Sequence, residues 1–293
     1  MKKTIACLAV LGLLGGCADL QRGALNPDTL RAAGEAVGTL AKSDATPEQE
    51  AQIGRESASM LLGAAPLVQD KEILQYVNAL GSWIARQTGR NDINWRFGVI
   101  NSSNVNAFAA PDGYILITKG LLRQLNNEAE LAGVIAHELT HVTKRHYLIA
   151  MKKKDTLGAF AKVGESTVAK SGIRGGDMAA TPMFNLAQNM YSSGLDKGDE
   201  YEADRMGIVY ATRAGYDPYG LPRVLAMYAA NTGAPGFDLL FSTHPSPQDR
   251  MAELNKAVGD KLVAYEANSV VDNPAFAKIV ARAKAIPDPA PRR

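Results

Sequence analysis

The sequence predicts a mainly helical α+β fold, and three observations carry the prediction. From Asn127 to Met151 the chain has no Pro and a single Gly, and Leu131, Val134, Ile135, Leu139 and Val142 recur at helical spacing, so one long helix is expected. Ahead of it the period changes: Ile93, Trp95, Phe97 and Val99 alternate, which is the pattern of a strand. Between these, Val105 to Ala109 and Tyr114 to Thr118 flank Pro111-Asp112-Gly113. Pro presets φ there and Gly accepts a positive φ, so a hairpin is expected just before the long helix. An edge strand of that kind can hold an extended peptide by main-chain hydrogen bonds.

Start signals place the other helices. Thr46-Pro47-Glu48-Gln49 supplies an N-cap, a Pro in the first turn and the Gln of a capping box, so a helix runs from there to about Leu62. A second begins near Asp70, carries Ile73, Leu74, Val77, Leu80 and Ile84 on one face, and ends near Gly89. Lys119 to Leu125 forms a short helix leading into the long one. Leu157 to Ala180 is rich in Gly, Ala, Ser and Lys with little apolar pattern, which predicts a mobile loop or a loosely packed helix, a candidate lid. Thr181-Pro182 opens a helical region to about Thr212 with a break at Gly194, Asp217-Pro218 opens the next to about Ala230, and Ser246-Pro247 opens another. The last spans Asn273 to Ala285, and Pro287 to Arg293 is expected as a disordered tail.

Composition is that of a globular chain: 293 residues, 46% hydrophobic, 21% charged, and long enough for a sizeable core. A formal net charge of +2 gives no argument for nucleic acid as a partner. The N-terminus reads as a targeting segment. Lys2 and Lys3 precede an apolar run from Ile5 to Leu14 that is too short to span a bilayer. Leu14-Gly15-Gly16-Cys17 resembles the bacterial lipobox, which makes Cys17 the expected lipid-bearing first residue of the mature protein. Residue 18 is Ala and not Asp, so the expected location is the periplasmic face of the outer membrane. Cys7 leaves with the signal and Cys17 carries lipid, so no thiol remains for a disulfide. The expected organisation is a signal peptide over 1–16, a tether over 17–45, a catalytic domain over 46–258, and a helical extension with a tail over 259–293.

The long helix carries His137-Glu138-Leu139-Thr140-His141. Residues four apart share a helix face, so both imidazoles can reach one metal while Glu138 reaches a water beside it. This is a metallopeptidase arrangement, with the carboxylate as base. Only four His occur in the chain, and three fall between His137 and His146; a solvated face more often carries Lys and Glu. His146 is not aligned with the pair and reads as a surface or packing residue.

A catalytic zinc needs a third protein ligand. In Asp199-Glu200-Tyr201-Glu202-Ala203-Asp204, a helix puts Glu200 and Asp204 on one face and Glu202 roughly opposite. Glu200 is therefore the expected ligand, and Asp204 the residue that hydrogen-bonds a ligand imidazole from behind. An oxyanion donor is also required, and Tyr201, Arg250 and His244 are the candidates. Pro245 biases His244 to an extended conformation, and Ser246 and Pro247 start a helix directly after it. A loop pinned in this way can aim an imidazole into the groove, as oxyanion donor or as a fourth zinc ligand that closes the site and holds the enzyme latent; the alternative is an ordinary loop histidine.

His137-Glu138-x-x-His141 followed by Glu200-x-x-Ala203-Asp204 resembles the HExxH zinc metallopeptidases, the family that takes in HtpX, the CAAX prenyl protease, BepA and LoiP. So do Asn104-Val105-Asn106-Ala107-Phe108, Gly113-Tyr114, Gly120-Leu121-Leu122 and Thr243-His244-Pro245. The resemblance covers about Gln49 to Val258, and the lack of spanning segments makes it nearest to the soluble periplasmic lipoprotein-type members. It implies a gluzincin-like fold, mainly helical with a small mixed sheet whose edge strand lines the groove. It implies one Zn2+ per chain on His137, His141 and Glu200, with Glu138 as base and Asn106 and Ala107 as substrate contacts. The expected function is an endopeptidase acting on misfolded or misassembled envelope polypeptides, anchored to the membrane through Cys17, with the outer-membrane assembly machinery as a further partner. The alternative is an assembly factor that binds such polypeptides and seldom cleaves. Substrate identity does not follow from the resemblance.

Overall fold

The structure, a computed structural model, describes residues 45–153, 195–244 and 246–289. The expected signal peptide, Cys17, most of the tether, the candidate lid at 157–180 and the helix start at Thr181 lie outside the described residues. Those that are described belong to one compact unit, Ser43–Arg293.

Local capping chemistry sets the first two helices. In α1 (Pro47–Ala64) the Thr46 and Gln49 side chains each take the other's backbone N–H, a complete capping box. Helix α2 (Lys71–Ala85) is capped by Asp70, tightens into a 3-10 turn over Arg86–Thr88, and stops at Gly89 with φ 72°.

The sheet has three strands, β1 (Arg96–Ile100), β2 (Ala107–Ala110) and β3 (Tyr114–Thr118), in the order β1-β3-β2. Strand β3 is parallel to β1 and antiparallel to β2, with Ala107 opposite Ile117, so the sheet is small and mixed and β2 is an edge. The β2–β3 turn needs two positive φ values, and Asp112 (60°) and Gly113 (87°) supply them. Ile93 and Trp95 precede β1 instead of belonging to it.

The helices after the sheet are α3 (Lys119–Gln124), α4 (Glu128–Thr143), α5 (His146–Lys153), α6 (Lys197–Arg213), α7 (Gly220–Ala230), α8 (Asp238–Thr243), α9 (Pro247–Val258), α10 (Val263–Glu266) and α11 (Pro274–Ala285). Helix α4 is the axis of the fold: it is buried from Glu128 to Val142 and packs against α2, α6, α7 and β2. Leu131, Ile135 and Leu139 are fully buried along it, and truncating any one to Ala costs ~2–5 kcal/mol. Helix α6 crosses α4 at Gly207, where an added Cβ would lie 3.0 Å from the His137 backbone nitrogen. The absence of a side chain there lets the two motif-bearing helices meet.

The long helix expected over 127–151 is two helices. Arg145 adopts φ 58° and separates α4 from α5. Neither Gly nor Pro marks the break. The Arg145 guanidinium instead donates to Glu50 on α1 at 2.5 Å and to the Ala45 carbonyl at 3.1 Å, so tertiary contacts hold a conformation that local propensity disfavours.

The first residues of the expected tail are held to the fold, and its last four lie outside the described residues. Lys119, fully buried, donates to the Pro287 carbonyl at 2.6 Å and pairs with Asp288 at 3.1 Å, while Arg123 also binds Asp288 at 2.6 Å. Among the described residues no helix is long and apolar enough to cross a membrane.

Candidate metal centre

Three elements converge on one point. Helix α4 brings His137 and His141, whose Nε2 atoms are 3.0 Å apart. Helix α6 brings Glu200, with Oε1 3.5 Å from His141 Nε2 and Oε2 3.6 Å from His137 Nε2. The junction of α8 and α9 brings His244, whose extended backbone (φ −126°, ψ 144°) directs Nδ1 to 2.9 Å from Glu200 Oε2. One donor atom from each of these four buried residues lies within 4.8 Å of the others.

Three imidazoles and a carboxylate are the donor set zinc favours. Two further features fit a cation here. Glu200 Oε1 and Glu138 Oε2 are buried with no hydrogen-bond partner, which is costly unless a positive centre faces them. Burial also pushes His141 well below its ordinary pKa, leaving the neutral imidazole that a metal binds. For Glu200, burial acts to raise the pKa, but His244 and Arg250 prevail and hold it well below the usual carboxylate range.

Behind the donors stands an ion pair. Arg250 on α9 gives Nε to Asp204 Oδ2 at 2.8 Å and Nη2 to Oδ1 at 2.5 Å, and its Nη1 lies 3.2 Å from Glu200 Oε2. Asp204 Oδ1 is also 3.0 Å from His137 Nδ1. A guanidinium only donates, so the 3.3 Å approach of Arg250 Nη2 to His137 Nδ1 sets two N–H groups side by side on one carboxylate oxygen. His137 then carries its proton on Nδ1 and turns a bare Nε2 to the centre.

Glu138 sits one residue along from His137 with 2% of its surface exposed, and burial raises its pKa, which suits a proton acceptor working near neutrality. It lines a cavity of 20 Å³ together with Ala107, His137, Tyr228, His244 and Arg250. That is room for about one water.

Of the three oxyanion candidates, His244 and Arg250 line this cavity and Tyr201 does not. Ala107 lines it from the edge strand. The Asn106 side chain does not: it is fully buried, donating to Thr243 Oγ1 at 3.4 Å and accepting from the Ala107 N–H at 3.0 Å. Its role here is to tie β2 to the residue before His244. Glu202 stands apart, 3.2 Å from His146 and 2.7 Å from Lys144.

Two residues were out of reach of sequence reasoning. Of the surface and packing readings of His146 the burial fits packing, at 2% exposed, but its contact with the metal centre was not foreseen: Nδ1 lies 3.0 Å from His141 Nδ1. The helix break at Arg145 puts it there, and no local signal marks that break. Tyr228 lines the cavity from α7, and its only sequence signal was an aromatic residue on an amphipathic helix.

Comparison with known proteins agrees with this geometry. A beta-barrel assembly-enhancing protease of Escherichia coli is 34% identical over 224 residues, 74% of this chain and 45% of that protein. The Yersinia pestis protein of the same name is 31% identical over 223 residues, with the same two coverages. The mitochondrial metalloendopeptidase OMA1 of Schizosaccharomyces pombe is 26% identical over 196 residues, 65% of this chain and 55% of that protein. The chain thus spans about half the length of the curated relatives it matches. The model of peptidase family M48 matches residues 73–258, which takes in both motif helices and His244. With an HExxH helix at its centre and a mainly helical fold around a small mixed sheet, this chain belongs to peptidase family M48.

Proposed function

We propose that this chain is a zinc-dependent endopeptidase of the bacterial envelope that cleaves unfolded or misassembled polypeptides. The observation that carries the proposal is the convergence of His137, His141 and Glu200 on one point, with Glu138, whose buried Oε2 has no hydrogen-bond partner, lining the same cavity as His137. His137, His141 and Glu200 would hold the ion, which would supply an acidified water and a polarised scissile carbonyl. Glu138 takes the proton of the attacking water and hands it to the leaving amine. Asp204, held by Arg250, keeps His137 in the tautomer that faces the centre. Ala107, on the edge strand, lies where an extended substrate would run past Glu138. The names of the bacterial relatives support the envelope as the setting, and Cys17, as a lipidated N-terminus, would tether the domain to the periplasmic face of the outer membrane. Mass spectrometry of the native N-terminal peptide tests that anchor: acylated Cys17 is expected, and an unmodified terminus elsewhere sinks it.

His244 is read as a fourth ligand that keeps the enzyme latent until its loop moves. A closed tetrahedral site has no position for substrate. The same closure favours a second reading, an assembly factor that binds outer-membrane polypeptides and seldom cuts them. Metal analysis with a cleavage assay on an unfolded substrate separates the two. The protease reading requires one zinc per chain, cleavage by wild type, and loss of cleavage with zinc retained in Glu138→Gln. Rescue of envelope assembly by Glu138→Gln as fully as by wild type supports the second reading.

A further inference from the structure

The break between α4 and α5 decides what stands behind His141. On an unbroken helix a residue five positions on lies roughly 140° around the axis and cannot touch its ring. Here Arg145 leaves the helix with φ 58°, and the Ile149 N–H returns to its carbonyl at 3.0 Å to start the next one. His146 is thereby folded back against His141. Its Nδ1 lies 3.0 Å from His141 Nδ1, its Nε2 lies 3.2 Å from Glu202 Oε2, and Glu202 Oε1 lies 2.7 Å from Lys144 Nζ.

The protons along this row have one consistent arrangement. His141 Nε2 faces His137 and Glu200, so as a ligand atom it is bare and its proton sits on Nδ1. Two facing Nδ1 atoms form a hydrogen bond only when one of them is bare. His146 Nδ1 is therefore the acceptor, its own proton sits on Nε2, and Glu202 accepts that proton. Glu202 in turn is held from its other oxygen by Lys144, so the row ends on a carboxylate with a partner on each side.

We propose that His146 is a positioning residue of the metal centre: it accepts the Nδ1–H of His141, is itself oriented by Glu202, and fixes His141 in the tautomer and ring angle that present Nε2 to the metal. The inference rests on the reading of His137 and His141 as ligands. It also gives the positive φ at Arg145 a purpose, since that residue turns the chain so that His146 reaches back.

The test is the affinity of the full chain for Zn2+ alone, measured by competition with a chromophoric chelator, with circular dichroism as the check on fold. Asn carries its amide oxygen near the place of His Nδ1, whereas the amide of Gln falls nearer Nε2. His146→Asn therefore keeps the acceptor that His141 needs, and His146→Gln keeps only the group that faces Glu202. Loss of ligand support typically weakens metal binding ~10–100-fold. The expected order is wild type and His146→Asn within about threefold of each other, with His146→Gln and His146→Leu weaker by that larger factor. A role confined to packing gives Gln and Asn equal affinity, or favours Gln, and either result overturns the proposal, as does His146→Leu binding like wild type. If Leu fails to fold, the Asn and Gln pair decides. Failure of wild type itself to bind zinc overturns the ligand reading beneath the proposal, which is a different result from tight binding by all variants.

Discussion

Replacing Arg250 with Met removes a guanidinium that faces two buried carboxylates, Asp204 and Glu200. Arg250 is 3% exposed, Asp204 1% and Glu200 0%, so water does little to screen what is left. The guanidinium makes two short bonds to Asp204, at 2.8 and 2.5 Å, and a third contact to Glu200 at 3.2 Å. Met occupies much of the volume of the arginine stem, so the loss is mainly electrostatic. Breaking a buried pair by removing one partner costs ~3–5 kcal/mol, and the second carboxylate puts this site at the upper end. For a unit of this size each kcal/mol shifts the melting temperature by ~2–4 °C, so a fall of roughly 10–20 °C is expected. Calorimetric unfolding of the full chain in the presence of a chelator is the assay, because a bound cation would offset the same carboxylates. Adding Asp204→Asn to Arg250→Met removes the stranded charge, and the double variant should be more stable than Arg250→Met. A single-variant loss under about 1 kcal/mol, the range of an exposed pair, or a double variant no more stable than the single one, refutes the reasoning.

Two other outcomes follow from the same structure. His244→Ala should retain zinc and raise basal cleavage of an unfolded substrate, because a fourth donor is removed; a steep fall in cleavage with zinc retained assigns His244 to the oxyanion instead. Truncation after Ala285 takes away the Ile286 and Pro287 carbonyls and Asp288, which hold the buried Lys119 ammonium, and should destabilise the chain by ~3 kcal/mol or more in urea unfolding. Adding Lys119→Met to the truncated chain should restore part of that loss, and no change on truncation contradicts the clamp.

What was legible in the sequence was local. The Thr46 capping box, the Asp70 cap and the Pro111-Asp112-Gly113 turn all form between residues a few positions apart, and they appear as read. His137, Glu138 and His141 share one helix, and Glu200 and Asp204 another, so helical geometry alone grouped them. The illegible features depend on partners distant in sequence. Arg145 breaks the long helix because Glu50 and Ala45 hold it, and His146 reaches His141 only through that break. Lys119 looks like an exposed helix residue until the carbonyls of the C-terminal segment surround it. Helix α8 has no side-chain N-cap to announce it, and Asn106 had no visible reason to face Thr243.

The central claim is that His137, His141 and Glu200 hold one zinc ion. Anomalous diffraction at the zinc edge, from crystals of the full chain, tests it most directly. One peak per chain is expected, at ~2.0–2.2 Å from a nitrogen of each of the two histidines and from a Glu200 oxygen. A peak held instead by His146 and Glu202, or zinc-loaded crystals with no peak beside His137, would contradict the account.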